Sequence, residues 1–214
     1  MKRGYYSFLI LVTLYLFSFL NPLFINNKAL VVRYEGDFYF PLLKYYSAET
    51  FNQDSYGETQ YRILNERFAD EDGNWAIMPL YPYHPNESLL AEIDGKPPHP
   101  PSQNHWLGTD NRGRDVFARL LYGFNISISF ALIVVFFAYI VGISIGAVLG
   151  YFGGKIDIFG QRFIEIFAAI PFLYTMIIVS SLLQPNFFLL VLVMTSFGWI
   201  GMTYYVRGEF YREK

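Results

Sequence analysis

The sequence predicts an all-α membrane protein with about four transmembrane helices, at 5–25, 124–151, 163–183 and 187–206, and an irregular extracytoplasmic insert. Hydrophobic residues make up 53% of the 214 residues and charged ones only 16%, against roughly a quarter charged in an ordinary soluble domain. Charge is absent from residues 4–27, 120–154 and 166–206. A helix crossing the roughly 30 Å of bilayer hydrocarbon takes about 20 apolar residues, so the first two stretches hold one span each. The third is too long for one and is interrupted by "QPNF" at 184–187. It holds two, the first starting near Arg162.

Residues 1–26 form the first element, with Lys2 and Arg3 ahead of the apolar run. That run is longer than a signal-peptide core, and no small-x-small cleavage site follows it. It reads as a retained membrane anchor. Residues 27–106 form the extracytoplasmic segment, and 27–122 together hold 14 acidic and 9 basic residues, a net of −5. The proline clusters "NWAIMPLYPYHP" and "GKPPHPPSQNHW" predict extended or turn backbone. A few short helices or strands are expected there, packed against partners. His84, His99 and His105 all lie in this segment, but their spacing matches no zinc pattern. They read as solvated side chains, with no metal site.

Residues 107–123 are the densest in charge, within "HWLGTDNRGRDVFARLLYG" at 105–123. Val116, Phe117, Leu120 and Leu121 share one helix face. Asp115 and Arg119 are spaced as an i,i+4 ion pair, and Arg112 lies on the same polar side. Thr109 or Asp110 is placed to cap the helix start, while Gly108 and Gly113 relax the backbone around it. The stretch, with Arg114 in its polar part, predicts a short amphipathic elbow helix in the membrane interface, bending at Gly123 into the second span. No nucleophile or base stands nearby to make a catalytic site.

Within residues 124–214, Gly142, Gly146 and Gly150 recur every fourth residue, a stripe that lets another helix approach closely. Pro171 predicts a kink in the third span. "GYFGGK" at 150–155 fails as a phosphate loop: its first glycine is one residue too close, and Ile156 stands where a hydroxyl is required. No nucleotide or other cofactor is expected, so the chain is not expected to be an enzyme. Glu165 is the only ionisable residue well inside a predicted span. Ion-coupled carriers need such groups at mid-membrane, so a transporter of this composition draws its energy from another subunit. The net charge of −2 argues against a nucleic-acid partner.

Short loops set the orientation. Lys155 and Arg162 lie in one, and Arg207, Arg212 and Lys214 in the tail, while 184–187 is uncharged. This puts the N-terminus and C-terminus in the cytoplasm and 27–122 outside. The conflicting Arg112, Arg114 and Arg119 belong to a long loop, where the rule carries little weight.

"LGTDNRGRDVFARLLYG", with "SISFALIVVFFAYIVGISIGAVLGYFGGKIDIFGQRFIEIFAAIP" after it, resembles the C-type permease subunits of dipeptide/oligopeptide ABC importers. "LVVRYEGDFYFPLLKYYSAETF", "QPNFF" and "FGWIGMTYYVRGEFYR" resemble the permeases for microcin C and related oligopeptides. The resemblance implies a methionine-importer-like permease fold, present in part as a type-1 domain over 124–214, in a bacterial inner membrane. It implies a second permease subunit, two cytoplasmic ATPase subunits, an extracytoplasmic peptide-binding protein and membrane lipid as partners. Arg207, Glu209 and Arg212 match the approach to the family's ATPase-docking loop. The family continues beyond the position of Lys214, so the chain reads as a C-terminal truncation, either a fragment or an inactive product. A membrane anchor or docking protein without a transport path is the competing reading.

Overall fold

The structure, a computed structural model, describes residues 2–71, 73–93 and 95–213. Met1, the side chain of Lys2 and Lys214, the last used in the charge-based orientation, lie outside the described residues. The chain divides into two compact units, 1–126 and 127–214.

The first unit begins with helix α1 (Lys2–Ser18) and the single turn α2 (Asn21–Phe24). Pro22 falls in the first turn of α2, where a missing N–H costs nothing. Then come strands β1 (Val31–Tyr34) and β2 (Asp37–Tyr39), a 3-10 turn at Ala48–Phe51, helix α3 (Tyr61–Phe68) and strand β3 (Trp75–Ile77). The strands form an antiparallel sheet in the order β2-β1-β3, with Arg33 opposite Phe38 on one side and Trp75 on the other. Glu35 and Gly36 both have positive φ, 51° and 93°, which gives the tight hairpin a twist matching its strands.

The segment expected to pack on partners has a core of its own. Val32 and Tyr34 point inward from β1. Tyr61, Leu64 and Phe68 form the buried face of α3, and Ala29 and Phe51 complete the cluster. Tyr34 stacks on Phe68 at 5.8 Å and meets Phe51 edge-on at 5.5 Å. A second cluster joins Ile25, Tyr81 and Ala118. Tyr122 Oη donates to the Ile25 carbonyl at 2.8 Å, and Asn21 Nδ2 to that of Leu121 at 3.0 Å.

Helix α4 (Val116–Phe152) is continuous. The expected separate elbow helix is absent: 107–115 is loop and turn, and α4 passes through Gly123 unbroken. Gly123 alone does not end the helix, since it costs only about 1 kcal/mol. Helices α5 (Gly154–Ala168), α6 (Phe172–Leu182) and α7 (Phe187–Glu213) follow in the second unit. Pro171 ends one helix and starts the next, with a 63° bend between α5 and α6. The residue before a proline is pushed out of the helical region, so the span expected at 163–183 straddles a break. Asn186 Oδ1 accepts from the Leu189 N–H at 2.9 Å and caps α7.

Among the described residues α4 and α7 are long and apolar enough to cross a membrane, and the bent α5–α6 pair is a third candidate if taken as one span. Helix α1 has 17 residues, about 26 Å at 1.5 Å per residue. That is shorter than a perpendicular crossing requires.

Candidate functional site

Two polar constellations stand out, one in each unit. In the first unit the loop 107–115 folds around two aspartates. Asp110 Oδ1 accepts from the N–H groups of Arg112 and Arg114 at 2.8 and 3.0 Å. Asp110 Oδ2 takes Arg114 Nε at 2.9 Å and also Arg119 Nη1. Thr109 does not cap a helix but ties the loop to His99, bonding its N–H and its carbonyl at 3.0 Å each way. Gly113 has φ +70°, and a Cβ there would sit 2.8 Å from Leu90 Cδ2.

The helix start is held by Asp115 instead of Thr109 or Asp110. Asp115 is fully buried, and its Oδ1 accepts from the Ala118 N–H at 2.8 Å, the geometry of an N-cap. Oδ2 receives Tyr81 Oη at 2.7 Å and lies 2.9 Å from His105 Nδ1. The expected Asp115–Arg119 pair is therefore replaced by Asp110–Arg119. Helical spacing suggested a partner on the helix, but Asp115 precedes α4 and turns inward. His105 is not a solvated side chain either, since it packs at 4.5 Å from Tyr83 while bonded to Asp115. Burial, then the bond to Asp115, raises the Tyr81 hydroxyl above its ordinary pKa. His84 is half-buried, and that burial lowers its pKa.

Burial alone would raise the Asp110 pKa, but hydrogen bonds from the Arg114 and Arg112 backbone and the Arg114 side chain bring it down to about 2. A folded-state value below the unfolded value of about 3.9 contributes stability above that pH, lost as pH falls through the folded value. The loop is therefore expected to loosen between about pH 4 and pH 2. Proteolysis or Trp106 fluorescence across that window checks this, and Asp110→Asn should flatten the response.

In the second unit α4 and α7 pack through the glycine stripe. A Cβ on Gly142 would lie 2.7 Å from the Trp199 carbonyl, on Gly146 2.7 Å from that of Thr203, and on Gly150 2.5 Å from Phe210 Cβ. Thr203 is fully buried and donates to the Gly142 and Trp199 carbonyls at 3.2 and 3.1 Å. Gly146→Val is expected to cost about 1–3 kcal/mol through overpacking, measurable as earlier thermal unfolding in detergent. Gly201→Ala, with open space around it, is the control.

Beside the stripe, Asp157 in the first turn of α5 receives Arg207 in a fork, Nε to Oδ1 at 2.5 Å and Nη2 to Oδ2 at 2.6 Å. Tyr211 Oη donates to the same Oδ2 at 2.9 Å, and the Arg207 guanidinium lies 4.9 Å from the Tyr211 ring. Arg207 thus turns inward, whereas Glu209 and Arg212 pair with each other on an exposed turn. Sequence reading missed Asp157, which it had no local pattern to pair with Arg207, 50 residues away. Glu165 pairs with Arg162 at 2.6 Å. Among the described residues no group of three or more His, Asp or Glu side chains is placed to hold a metal.

This arrangement positions helices α4, α5 and α7 against one another. Residues 142–214 match the family described as binding-protein-dependent transport system inner membrane component. The inner membrane ABC transporter permease protein YejE of Escherichia coli is 40% identical over 216 residues, covering all of this chain and 62% of that protein. The peptidoglycan transport system permease protein YejE of Agrobacterium fabrum is 34% identical, again over all of this chain and 62% of its own length. The dipeptide transport system permease protein DppC of Bacillus subtilis is 38% identical over 72% of this chain and 50% of its own. The chain therefore spans less than two thirds of the length of these relatives. Residues 142–214 are thus similar to the binding-protein-dependent transport system inner membrane components, and similarity to ABC-transporter permeases runs along the whole chain.

Proposed function

We propose that this chain forms part of the membrane-spanning subunit of an ATP-driven importer for oligopeptides or peptide-like compounds. The carrying observation is its end-to-end similarity to the two YejE permeases, supported by DppC, whose name specifies dipeptide transport. In this reading a second permease subunit, two cytoplasmic ATPase subunits and an extracytoplasmic peptide-binding protein complete the machine. The chain supplies wall and scaffold, with four spans of a methionine-importer-like fold counting α1–α2 as the first. The loop around Asp110 and Asp115 anchors the external segment, the glycine stripe holds α4 to α7, and Arg207, Glu209 and Arg212 lie on the approach to the ATPase contact.

The native chain has no cysteine, which makes orientation directly testable. Gln60→Cys is expected to react with a membrane-impermeant maleimide from outside the inner membrane, and Ile158→Cys only after permeabilisation. Outside labelling of position 158 would overturn the orientation. Copurification of the natural gene product tests the machine itself: an ATPase subunit is expected to come with it, and its absence would remove the energy source.

A further inference from the structure

The external segment contains a cavity of about 300 Å³ lined in part by Lys28, Glu58, Tyr61, Arg62, Glu87 and Glu92. Its charges fall into two groups. Arg62 and Glu87 form a fixed base: the guanidinium meets both Glu87 oxygens at 3.0 and 2.7 Å and the Pro82 carbonyl at 2.6 Å. Their side chains are only 17% and 19% exposed, and the Arg62 guanidinium lies 4.9 Å from the Tyr83 ring. Lys28, Glu58 and Glu92 form a looser rim, 33%, 35% and 44% exposed. Lys28 bonds Glu58 and Glu92 bonds Arg62, both at 2.5 Å. A partly exposed pair such as Lys28–Glu58 contributes about 0–1 kcal/mol, so a ligand with matching charges exchanges for it at little cost.

We propose that this cavity binds the free ends of a short peptide, its ammonium at the Glu58 and Glu92 carboxylates and its carboxylate at Lys28. The rim offers one cation and two anions around a space near the lower end of ligand-pocket volumes, about 300 Å³. A zwitterion uses both signs, whereas a simple anion or cation leaves one of them opposed. The inference rests on the proposed function for its peptide cargo and adds a site outside the spans where that cargo is met. No bond is made or broken.

The test uses the full chain in detergent and titrates tri-alanine calorimetrically against its N-acetylated and C-amidated forms. Saturable binding of tri-alanine is expected, weakened about tenfold by blocking either end, the scale of one charge-assisted hydrogen bond. Lys28→Met is expected to remove the penalty for C-amidation, and Glu58→Gln/Glu92→Gln that for N-acetylation. The blocked peptides are measured on the unaltered chain, so a misfolded variant does not decide the outcome. No saturable binding, or equal binding of all three peptides, overturns the proposal, including the case in which the notch serves only to dock another protein. Binding needs no ATPase partner. Failure here with the ATPase copurifying sinks the site alone, while binding without an ATPase sinks the importer reading alone.

Discussion

Arg207→Met is expected to destabilise the second unit by about 3–5 kcal/mol, the cost of stranding one member of a buried ion pair. Asp157 is only 9% exposed at its side chain and would keep a single donor, the Tyr211 hydroxyl. The measurement is chemical unfolding in detergent, followed through the near-ultraviolet signal of Trp199. Asp157→Asn combined with Arg207→Met should recover part of the loss, because no charge is then left unpaired. A double-mutant coupling energy near zero would show that the fork holds nothing. Charge reversal at both positions should restore more than either single reversal.

Asp115→Ala should cost about 3 kcal/mol: about 1 for the lost N-cap, and the rest for the buried Tyr81 hydroxyl and His105 ring left without their acceptor. Asp115→Asn keeps an oxygen for the Ala118 N–H and should lose less. Limited proteolysis between 105 and 120 and the near-ultraviolet signal of the Tyr81–Trp106–Phe117 cluster, whose ring centroids lie 4.9–5.0 Å apart, report the change. If Asp115→Ala unfolds within about half a kcal/mol of the parent, a surface-mutation-sized effect, the aspartate is not the anchor described.

The long apolar helices were legible because hydrocarbon imposes a simple rule on composition, and α4 and α7 obey it. The elbow was legible as a place and misread as a shape. Helical periodicity at 116–121 is real, but the inward turn of Asp115 depends on Tyr81 and His105, and the tie of Thr109 on His99, partners that no local pattern announces. The same holds for Asp157 and Arg207, brought together across 50 residues of chain. The aromatic core between α2 and β3 was hidden for a different reason. Tyr34, Phe51, Tyr61 and Phe68 come from a strand, a 3-10 turn and a helix too short to show a period. The Lys28–Arg62 cavity likewise joins three stretches of chain distant in sequence.

The break at 169–171 has a consequence for solvent. Helix α5 ends at Ala168 and α6 starts at Phe172, near the beginning of the uncharged stretch 166–206. The last carbonyls of a helix have no donors of their own, and hydrocarbon offers none. Backbone of this kind persists at membrane depth only where protein or water reaches it. With α5 and α6 taken as one span, the 63° corner is a place where the bilayer's dryness must give way.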